Sequence, residues 1–248
     1  MDITIIDGDV FRQIFNCLKN LISDEGAVSF TKKGIIIKTI DTKSIILINV
    51  EISNKIYQIV KLEDNIKLFF SFDDFYNMIK LSDDDIKLKH STNENSLVIK
   101  MTNKNKKMNF KLPLNDIEKE DYEDIDIDYK YFISIDINEF NDIIKNVGLF
   151  SKKCKIKVKN QIVYFYTGDK DMGGYEIEDV EIDFPENEKE MDFGNYSIGM
   201  LSVFSKISNS GKVIIKFLDN VSPACFQYVI KGKDSVSSAN FYLAQMVD

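Results

Sequence analysis

The chain repeats one unit, an amphipathic helix followed by short strands, about four times along its 248 residues. Helical segments place apolar side chains at i, i+3 and i+4, and strand segments are short β-branched blocks. Phe11 of the first helix and Phe140 of the third occupy matching positions, so the period is roughly half the chain. A repeat of this kind predicts two similar domains.

Local signals set the expected bounds of the first helices. Asp9 is predicted to cap the N-terminus of the first helix and Ser71 that of the second. A hairpin is expected to turn at residues 32–34. The inward faces of the two later helices match the helical period: Phe140, Ile143, Ile144 and Val147 in the third, and Leu201, Phe204 and Ile207 in the fourth.

Residues 112–130 separate the two halves and are strongly acidic, without a helical or strand period. We predict an N-terminal domain at residues 1–113, a connector at 114–130 and a C-terminal domain at 131–248. Two interpretations of the connector stay open. It is either a solvated linker, or an acidic linker whose few apolar side chains dock another molecule.

The net charge of −8, from 40 acidic and 32 basic residues, by itself argues against a nucleic-acid partner. Each predicted helix nevertheless carries a basic side chain on its polar face. Ordinary soluble helices also show lysines, so this pattern has two interpretations. If the helices share one side of the sheets, they form a strip that follows a phosphate backbone without reading bases. The basic residues are Arg12, Lys19, Lys80, Lys145 and Lys206.

No catalytic or metal-binding pattern is found in the sequence. Cys17, Cys154 and Cys225 are scattered, His90 is the single histidine, and phosphate-binding loops and nucleophile elbows are absent. The start of the chain lacks a secretory signal, and no apolar run reaches the roughly 18–20 residues that span a bilayer. We expect no enzyme activity, no catalytic residues, no metal, no cofactor and no membrane partner.

Taken together, the order of the helix–strand units, the acidic connector and the tail resembles the sliding clamps of the proliferating cell nuclear antigen family. The resemblance covers essentially the whole chain, and the best matching segments are "LKNLISDEGAVSFTKKGIIIKTIDTKSIILINVEI", "YSIGMLSVFSKI" and "NFYLAQMVD". It implies an α+β fold of two similar clamp domains, with helices on the inner face, β-sheets on the outer face and a ring-shaped trimer. It also implies that residues 107–112 pair with residues 175–184 of a neighbouring copy.

The resemblance implies that the five basic residues above face duplex DNA. Asp142 and Gly199 stand where family members often carry a basic residue, which implies a less positive inner surface.

The resemblance further implies a groove for short peptides of client proteins. Without the resemblance, its residues would fit ordinary core or edge packing. The expected groove residues are Ile40, Ser44, Ile45, Leu47, Tyr122, Ile125, Ile127, Pro223, Tyr242, Leu243 and Ala244. Gln245 replaces a proline common in the family, and Lys159 matches the family lysine that carries ubiquitin.

The function implied by the resemblance is that of a DNA sliding clamp, or polymerase processivity factor. Such a protein encircles duplex DNA without regard to sequence and tethers a DNA polymerase, a clamp loader, a ligase and nucleases through short peptides. The alternative is a clamp-like scaffold or transcription factor that does not slide on DNA. The expected location is the nucleus in a eukaryote, or the cytoplasm or a virus factory for an archaeal or viral member.

Overall fold

A computed structural model describes most of the chain, and its residues pack into two compact units. The described residues are 1–22, 25–41, 43, 45–82, 85–116, 126–168, 173–178, 180–185, 190–207 and 211–246. The first unit comprises Met1–Ser44, Ile48–Glu123 and Ile230–Ala239, and the second comprises Ile45–Leu47, Asp124–Val229 and Asn240–Asp248. The domain boundaries at residues 113 and 131 stay a prediction, because these units are groups of packed residues and not contiguous segments.

The first unit contains two helices, α1 (Gly8–Leu18) and α2 (Phe72–Ile79), which pack against each other. Its strands are β1 (Asp2–Ile5), β2 (Glu25–Phe30), β3 (Gly34–Ile40), β4 (Ile46–Ser53, which begins in the second unit), β5 (Tyr57–Lys61), β6 (Ile66–Ser71), β7 (Ile86–Lys89), β8 (Ser96–Asn103) and β9 (Lys106–Pro113). One antiparallel sheet has the order β5-β1-β7-β8-β9, so β9 is an edge strand.

Phenylalanine rings form the core between the helices of the first unit. The ring centroids of Phe15 and Phe75 lie 4.6 Å apart, and those of Phe11 and Phe15 lie 4.9 Å apart. These side chains are fully buried. Each contributes about 1.5–3 kcal/mol through burial, so the helical period of the sequence directly builds this core.

The predicted cap of α1 at Asp9 is wrong, because the cap is Asp7. Its Oδ1 accepts a hydrogen bond from the Val10 N–H at 3.5 Å, and its Oδ2 accepts one from the Lys233 N–H at 3.0 Å. Asp9 lies inside the first turn, where it pairs with Arg12. The predicted cap of α2 is confirmed, since Ser71 Oγ accepts from the Asp74 N–H at 3.1 Å. The hairpin turn at residues 32–34 is confirmed as well, between β2 and β3.

The second unit repeats this arrangement with α3 (Ile137–Val147) and α4 (Ile198–Phe204), the latter followed by a 3₁₀ turn at Ser205–Ile207. Its strands are β10 (Tyr131–Asp136), β11 (Lys153–Lys159), β12 (Ile162–Thr167), β13 (Gly174–Ile177), β14 (Glu181–Asp183), β15 (Glu190–Ser197), β16 (Lys212–Phe217), β17 (Ala224–Lys231, which ends in the first unit) and β18 (Val236–Leu243, which begins in the first unit). One sheet has the order β13-β12-β11-β15, and a second run of neighbours is β14-β10-β16-β17-β18.

The predicted inward faces of α3 and α4 are confirmed, because all seven of their apolar residues are buried. Each unit therefore has a helix pair packed on β-sheet, and the prediction of two similar domains is confirmed. Among the helices that the structure describes, none is long and apolar enough to span a membrane.

Candidate functional site

Arg12 on α1 is held by neighbours within the first unit. Its Nη1 donates to the Ser82 carbonyl, and its Nη2 lies 2.7 Å from Asp9 Oδ1. The side chain is only 13% exposed. The charge of this predicted DNA-facing residue is therefore largely engaged inside the unit.

Lys19 and Lys80 gather around the ring of Tyr76. Their Nζ atoms lie 4.7 and 5.8 Å from the ring centroid, within reach of a cation–π attraction. Lys19 is also 3.6 Å from a carboxylate oxygen of Asp73, whereas Lys80 is exposed and donates to Asn77 Oδ1 at 2.6 Å. Of the two, Lys80 presents more of its charge to solvent.

In the second unit, Lys145 and Lys206 are the cations of α3 and of the α4 segment, and both are exposed. Lys145 lies in the last turn of α3, where a positive charge also complements the helix dipole. Asp142 is exposed on the same helix, and Gly199 is exposed on α4 without a side chain. These helices therefore carry two exposed cations and two exposed carboxylates, those of Glu139 and Asp142.

Among the predicted groove residues of the second unit, Ile45 contacts the C-terminal tail. The Ala244 N–H donates to the Ile45 carbonyl at 3.2 Å, which joins the tail to the start of β4. Ile45 is 38% exposed, and Leu47, Ile127 and Tyr242 are partly exposed. These four apolar side chains are therefore each accessible to solvent.

The remaining groove predictions have different surroundings. Leu243 is buried, so it packs in the core beneath the tail. Ile40, in the first unit, is partly exposed. Ser44, Tyr122 and Ile125 lie outside the described residues.

Pro223 follows a tight loop that exposes a residue not predicted from the sequence, Val221. The Pro223 carbonyl accepts from the Tyr129 hydroxyl at 3.1 Å, and Val221 is 80% exposed. Asp219 fixes the loop by accepting from the backbone N–H groups of Ser222 and Val221, which lowers the pKa of its carboxyl. The sequence signal for this exposed side chain is an apolar residue, Val221, inside the polar turn "LDNVSP".

The tail itself lies against β15 of the second unit. The Met246 N–H donates to the Asn195 carbonyl at 2.8 Å. Gly194 has a φ of +90°, and a Cβ there would overlap the side-chain amide of Gln245. The register between β11 and β15 shifts at this point, as at a β-bulge. Gln245, the departure from the family's proline, therefore occupies space that only glycine leaves open.

Lys159, the predicted modification site, belongs to a row of ion pairs between β11 and β15. Its Nζ is 3.7 Å from Glu190 Oε2, and Lys157 lies 3.2 Å from Oε1 of the same residue. The hydrogen bond between Lys157 and Glu190 raises the pKa of the lysine and lowers that of the glutamate. Lys159 is half exposed, so its amine remains accessible beside this partner.

Leu149 and Phe150, which follow the end of α3, are two further exposed residues that were not predicted from the sequence. They are 73% and 59% exposed. Exposed large apolar pairs mark interaction sites more often than scattered single residues do. The signal was present in "VGLFSKK", where two apolar residues follow the last turn of the helix.

The titratable groups with strongly shifted pKa values are buried tyrosines and cysteines. Burial raises the pKa of the Cys154 and Cys225 thiols, and of the Tyr57 hydroxyl, to about 12. These groups are therefore held neutral at physiological pH. Within the described ranges, no group of three or more His, Cys, Asp or Glu residues is placed to hold a metal ion.

Two domains, each with a helix pair on β-sheet, define a clamp-type fold, and comparison with known proteins gives the same result. Residues 1–124 match the family model "Proliferating cell nuclear antigen, N-terminal domain". The crystal structure of the proliferating cellular nuclear antigen of Entamoeba histolytica superposes with a TM-score of 0.83 at 19% identity, covering 99% of this chain and 98% of that one. The structure from Thermococcus kodakaraensis gives a TM-score of 0.80 at 17% identity, covering 99% of both chains.

Among curated proteins, the chain is 24% identical to "Probable DNA polymerase sliding clamp 2" of Paramecium bursaria Chlorella virus 1, covering 96% of this chain and 88% of the relative. It is 20% identical to the proliferating cell nuclear antigen of Dictyostelium discoideum, covering 98% of each. The chain therefore belongs to the proliferating cell nuclear antigen family.

Proposed function

We propose that this protein is a DNA sliding clamp that closes as a ring of three copies around duplex DNA and tethers replication and repair proteins. The observation that carries the proposal is the two-domain clamp fold along essentially the whole chain, in a family whose relatives are named DNA polymerase sliding clamps. A closed ring holds DNA by topology, so it needs few contacts and no base recognition.

The exposed cations of the helices support contact with the DNA backbone. Lys80, Lys145 and Lys206 are accessible, and lysines act as point charges that neutralise phosphates without reading sequence. Arg12 contributes less to this surface, because its guanidinium is paired with Asp9 and the Ser82 carbonyl.

Unpaired strand edges support assembly into a ring. The edge strand β9 of the first unit and the edge strands β13 and β14 of the second each leave one row of backbone groups without a partner in the described sheets. Such edges pair readily with another chain. Ile182 of β14 already lies opposite Ile133 of β10, so its outer side is the one available to a neighbour.

The exposed pair Leu149 and Phe150 supplies an apolar surface for the same assembly.

Light scattering coupled to gel filtration tests assembly into a ring. We expect three times the 28.6 kDa chain mass for the wild type and a loss of trimer for Phe150→Asp. Val221→Asp, a substitution of another exposed apolar residue, is the matched control and keeps the trimer. A monomeric wild type at all concentrations would contradict the ring.

A role in tethering, not in catalysis, completes the proposal. The accessible apolar residues near Ile45 and the backbone of the C-terminal tail support binding of short peptides from a polymerase, a clamp loader, a ligase or a nuclease. The perturbed tyrosines and cysteines support a structural role for these groups, because their neutral forms are favoured in the core.

The second candidate is a clamp-like scaffold or transcription factor that does not slide on DNA. It is favoured by the exposed Asp142 on α3 and by the engaged charge of Arg12, which reduce the positive charge offered to DNA. Retention on circular DNA separates the two candidates, because a scaffold that does not encircle DNA gains nothing from circularity.

A further inference from the structure

Lys19 and Lys80 occupy equivalent places in the first unit, directly after the last residues of α1 and α2. The two helices pack against each other, and both lysines reach the partly exposed ring of Tyr76 on α2. Their Nζ atoms lie within the roughly 6 Å over which an aromatic ring attracts a cation. One ring therefore holds two positive charges that come from two different helices.

Two polar residues of α2 connect the two lysines. Asp73 Oδ1 lies 3.6 Å from Lys19 Nζ, and Asp73 Oδ2 accepts a hydrogen bond from Asn77 Nδ2 at 3.0 Å. Asn77 Oδ1 in turn accepts from Lys80 Nζ at 2.6 Å. We call these five residues the Tyr76 cluster. It contains two cations and one acid, so its net charge is positive.

The pair between Lys19 and Asp73 is open to exchange. The Asp73 side chain is 55% exposed, and 3.6 Å is longer than the roughly 2.7–2.9 Å of a strong charged hydrogen bond. Exposed ion pairs of this kind stabilise a fold only weakly. A phosphate group can therefore replace the Asp73 carboxylate beside Lys19, while the ring of Tyr76 keeps the ammonium group in place.

The second unit lacks an aromatic ring at the matching position of its helix. Ser202 follows the buried Leu201 of α4 as Tyr76 follows the buried Phe75 of α2. Ser202 and Lys145 line a cavity of about 470 Å³ whose walls come from α3 and α4. The repeated fold therefore does not require an aromatic residue at this position, and the ring in the first unit has a different role.

We propose that Tyr76 is a positioning residue for contact with the DNA backbone, because its ring holds Lys19 and Lys80 where they meet phosphate, and that Asp73 competes with DNA for Lys19. The inference rests on the proposed clamp function and adds what sets the strength of this contact. Attraction between lysines and phosphates involves no base edge, so the contact is independent of sequence. A carboxylate that returns to Lys19 when the phosphate leaves keeps the contact weak, as movement along DNA requires.

Substitution of Tyr76 tests its positioning role. Tyr76→Leu keeps apolar bulk and removes the ring, whereas Tyr76→Phe keeps the ring and removes only the hydroxyl. Fluorescence anisotropy of a short labelled linear duplex at low salt reports direct contact, because linear DNA is not retained by topology. We expect Tyr76→Leu to bind about fivefold more weakly through the loss of two cation–π contacts, and Tyr76→Phe to bind like the wild type.

A background without the two lysines separates positioning from a purely structural role. In a chain with Lys19→Ala and Lys80→Ala, the ring has no charge to hold, so adding Tyr76→Leu should cause no further loss of affinity. A ring that only supported the helix pair would cause the same loss in both backgrounds, because the effects of independent sites add. Equal trimer content and equal melting temperatures would show that the variants stay folded.

Asp73→Asn tests the competing carboxylate, and Asp74→Asn is the matched control. Asp74 is the next residue in the first turn of α2, is also exposed and forms no ion pair with a described residue. The two variants lose the same charge, so their long-range attraction to DNA rises equally. We expect Asp73→Asn to bind the duplex about threefold more tightly than Asp74→Asn. This difference should disappear in the Lys19→Ala background.

Any one of three results would overturn the inference. They are equal weakening by Tyr76→Leu and Tyr76→Phe, a loss from Tyr76→Leu that persists without the two lysines, and equal affinities of Asp73→Asn and Asp74→Asn. In each case, duplex binding by the wild type would leave the proposed clamp function standing. A wild type that binds no duplex DNA at any salt concentration would remove the proposed function and this inference with it.

Discussion

At the scale of single residues, Arg12 and Lys145 carry the same formal charge in different surroundings. Arg12 donates to a backbone carbonyl and is 13% exposed, whereas Lys145 is exposed on the last turn of α3. Arg12→Ala should lower the free energy of unfolding by about 1.5–3 kcal/mol, because the Ser82 carbonyl loses a charged donor. Lys145→Ala should change it by about 0.5 kcal/mol or less.

Urea unfolding at one fixed protein concentration measures both variants, since assembly makes the apparent stability depend on concentration. Equal unfolding free energies for the two variants would show that the Arg12 contacts do not stabilise the fold.

Gln245 and Gly194 form the second prediction at this scale. Gly194→Ala should displace the tail, because the added methyl group overlaps the Gln245 amide and strains a φ of +90°. Amide hydrogen exchange at Met246 should become at least tenfold faster. Gln245→Ala combined with Gly194→Ala should recover part of that protection, since the overlap is gone. Unchanged exchange in Gly194→Ala would contradict this packing.

The contacts of Arg12 and of Gly194 could not be predicted from the sequence. The helical period predicts that Arg12 lies on the polar face of α1, but not that Ser82, 70 residues away, offers it a carbonyl. The contact between Gly194 and Gln245 likewise depends on a β-bulge and on tertiary packing. The wrong cap at Asp9 is a local shift of two residues, because the helix begins at Gly8 and not at Val10, which leaves Asp7 at the cap position.

At the scale of elements, the exposed lysines of the helices should act together on DNA. Changing Lys80, Lys145 and Lys206 to alanine removes three candidate phosphate contacts. Each contact contributes a slope of about −0.9 in log affinity against log salt, so the slope should become shallower by about 2.7. Alanine at Lys32, Lys33 and Lys55, which are exposed outside α1 to α4, should leave the slope unchanged. A slope unaffected by the helix substitutions would mean that these lysines do not face DNA.

The start of β4 provides a second prediction for an element. Leu47 is partly exposed two residues after Ile45, whose carbonyl accepts from the tail. Leu47→Asp should keep the trimer but weaken a clamp-binding peptide at least tenfold, about 1.4 kcal/mol, because it places a charge in an apolar surface. Calorimetry measures the affinity, and Ile59→Asp, at an exposed apolar position in β5, is the control. Equal affinity in Leu47→Asp and the wild type would contradict the groove assignment.

Helices were the elements that the sequence predicted best. Their apolar residues recur with a local period, and helix–strand order repeats in both halves, so α1 to α4 could be found without tertiary knowledge. The short strands β13 and β14 were harder, because one acidic run, residues 175–184, divides between two different sheets. β13 pairs with β12 and β14 pairs with β10, and no local sequence pattern predicts these pairing partners.

At the scale of the whole molecule, the repeat in the sequence predicted two similar domains but not how the chain is shared between the compact units. Residues 45–47 and 240–246 pack with the second unit, while residues 230–239 pack with the first. The hydrogen bond from the Ala244 N–H to the Ile45 carbonyl is one reason why residues 45–47 pack with the second unit, since it joins the tail to the start of β4. Such long-range pairings depend on the folded chain.

The central claim, that copies of this chain encircle duplex DNA, is tested most directly by topology. The protein is diluted until its rings open, mixed with circular duplex DNA and reconcentrated so that rings close around the DNA. Gel filtration then measures how much protein travels with the DNA before and after one enzymatic cut. We predict that cutting the circle releases at least nine tenths of the bound protein, because a ring slides off free ends. Equal retention on circular and linear DNA, or no retention on either, would contradict the claim.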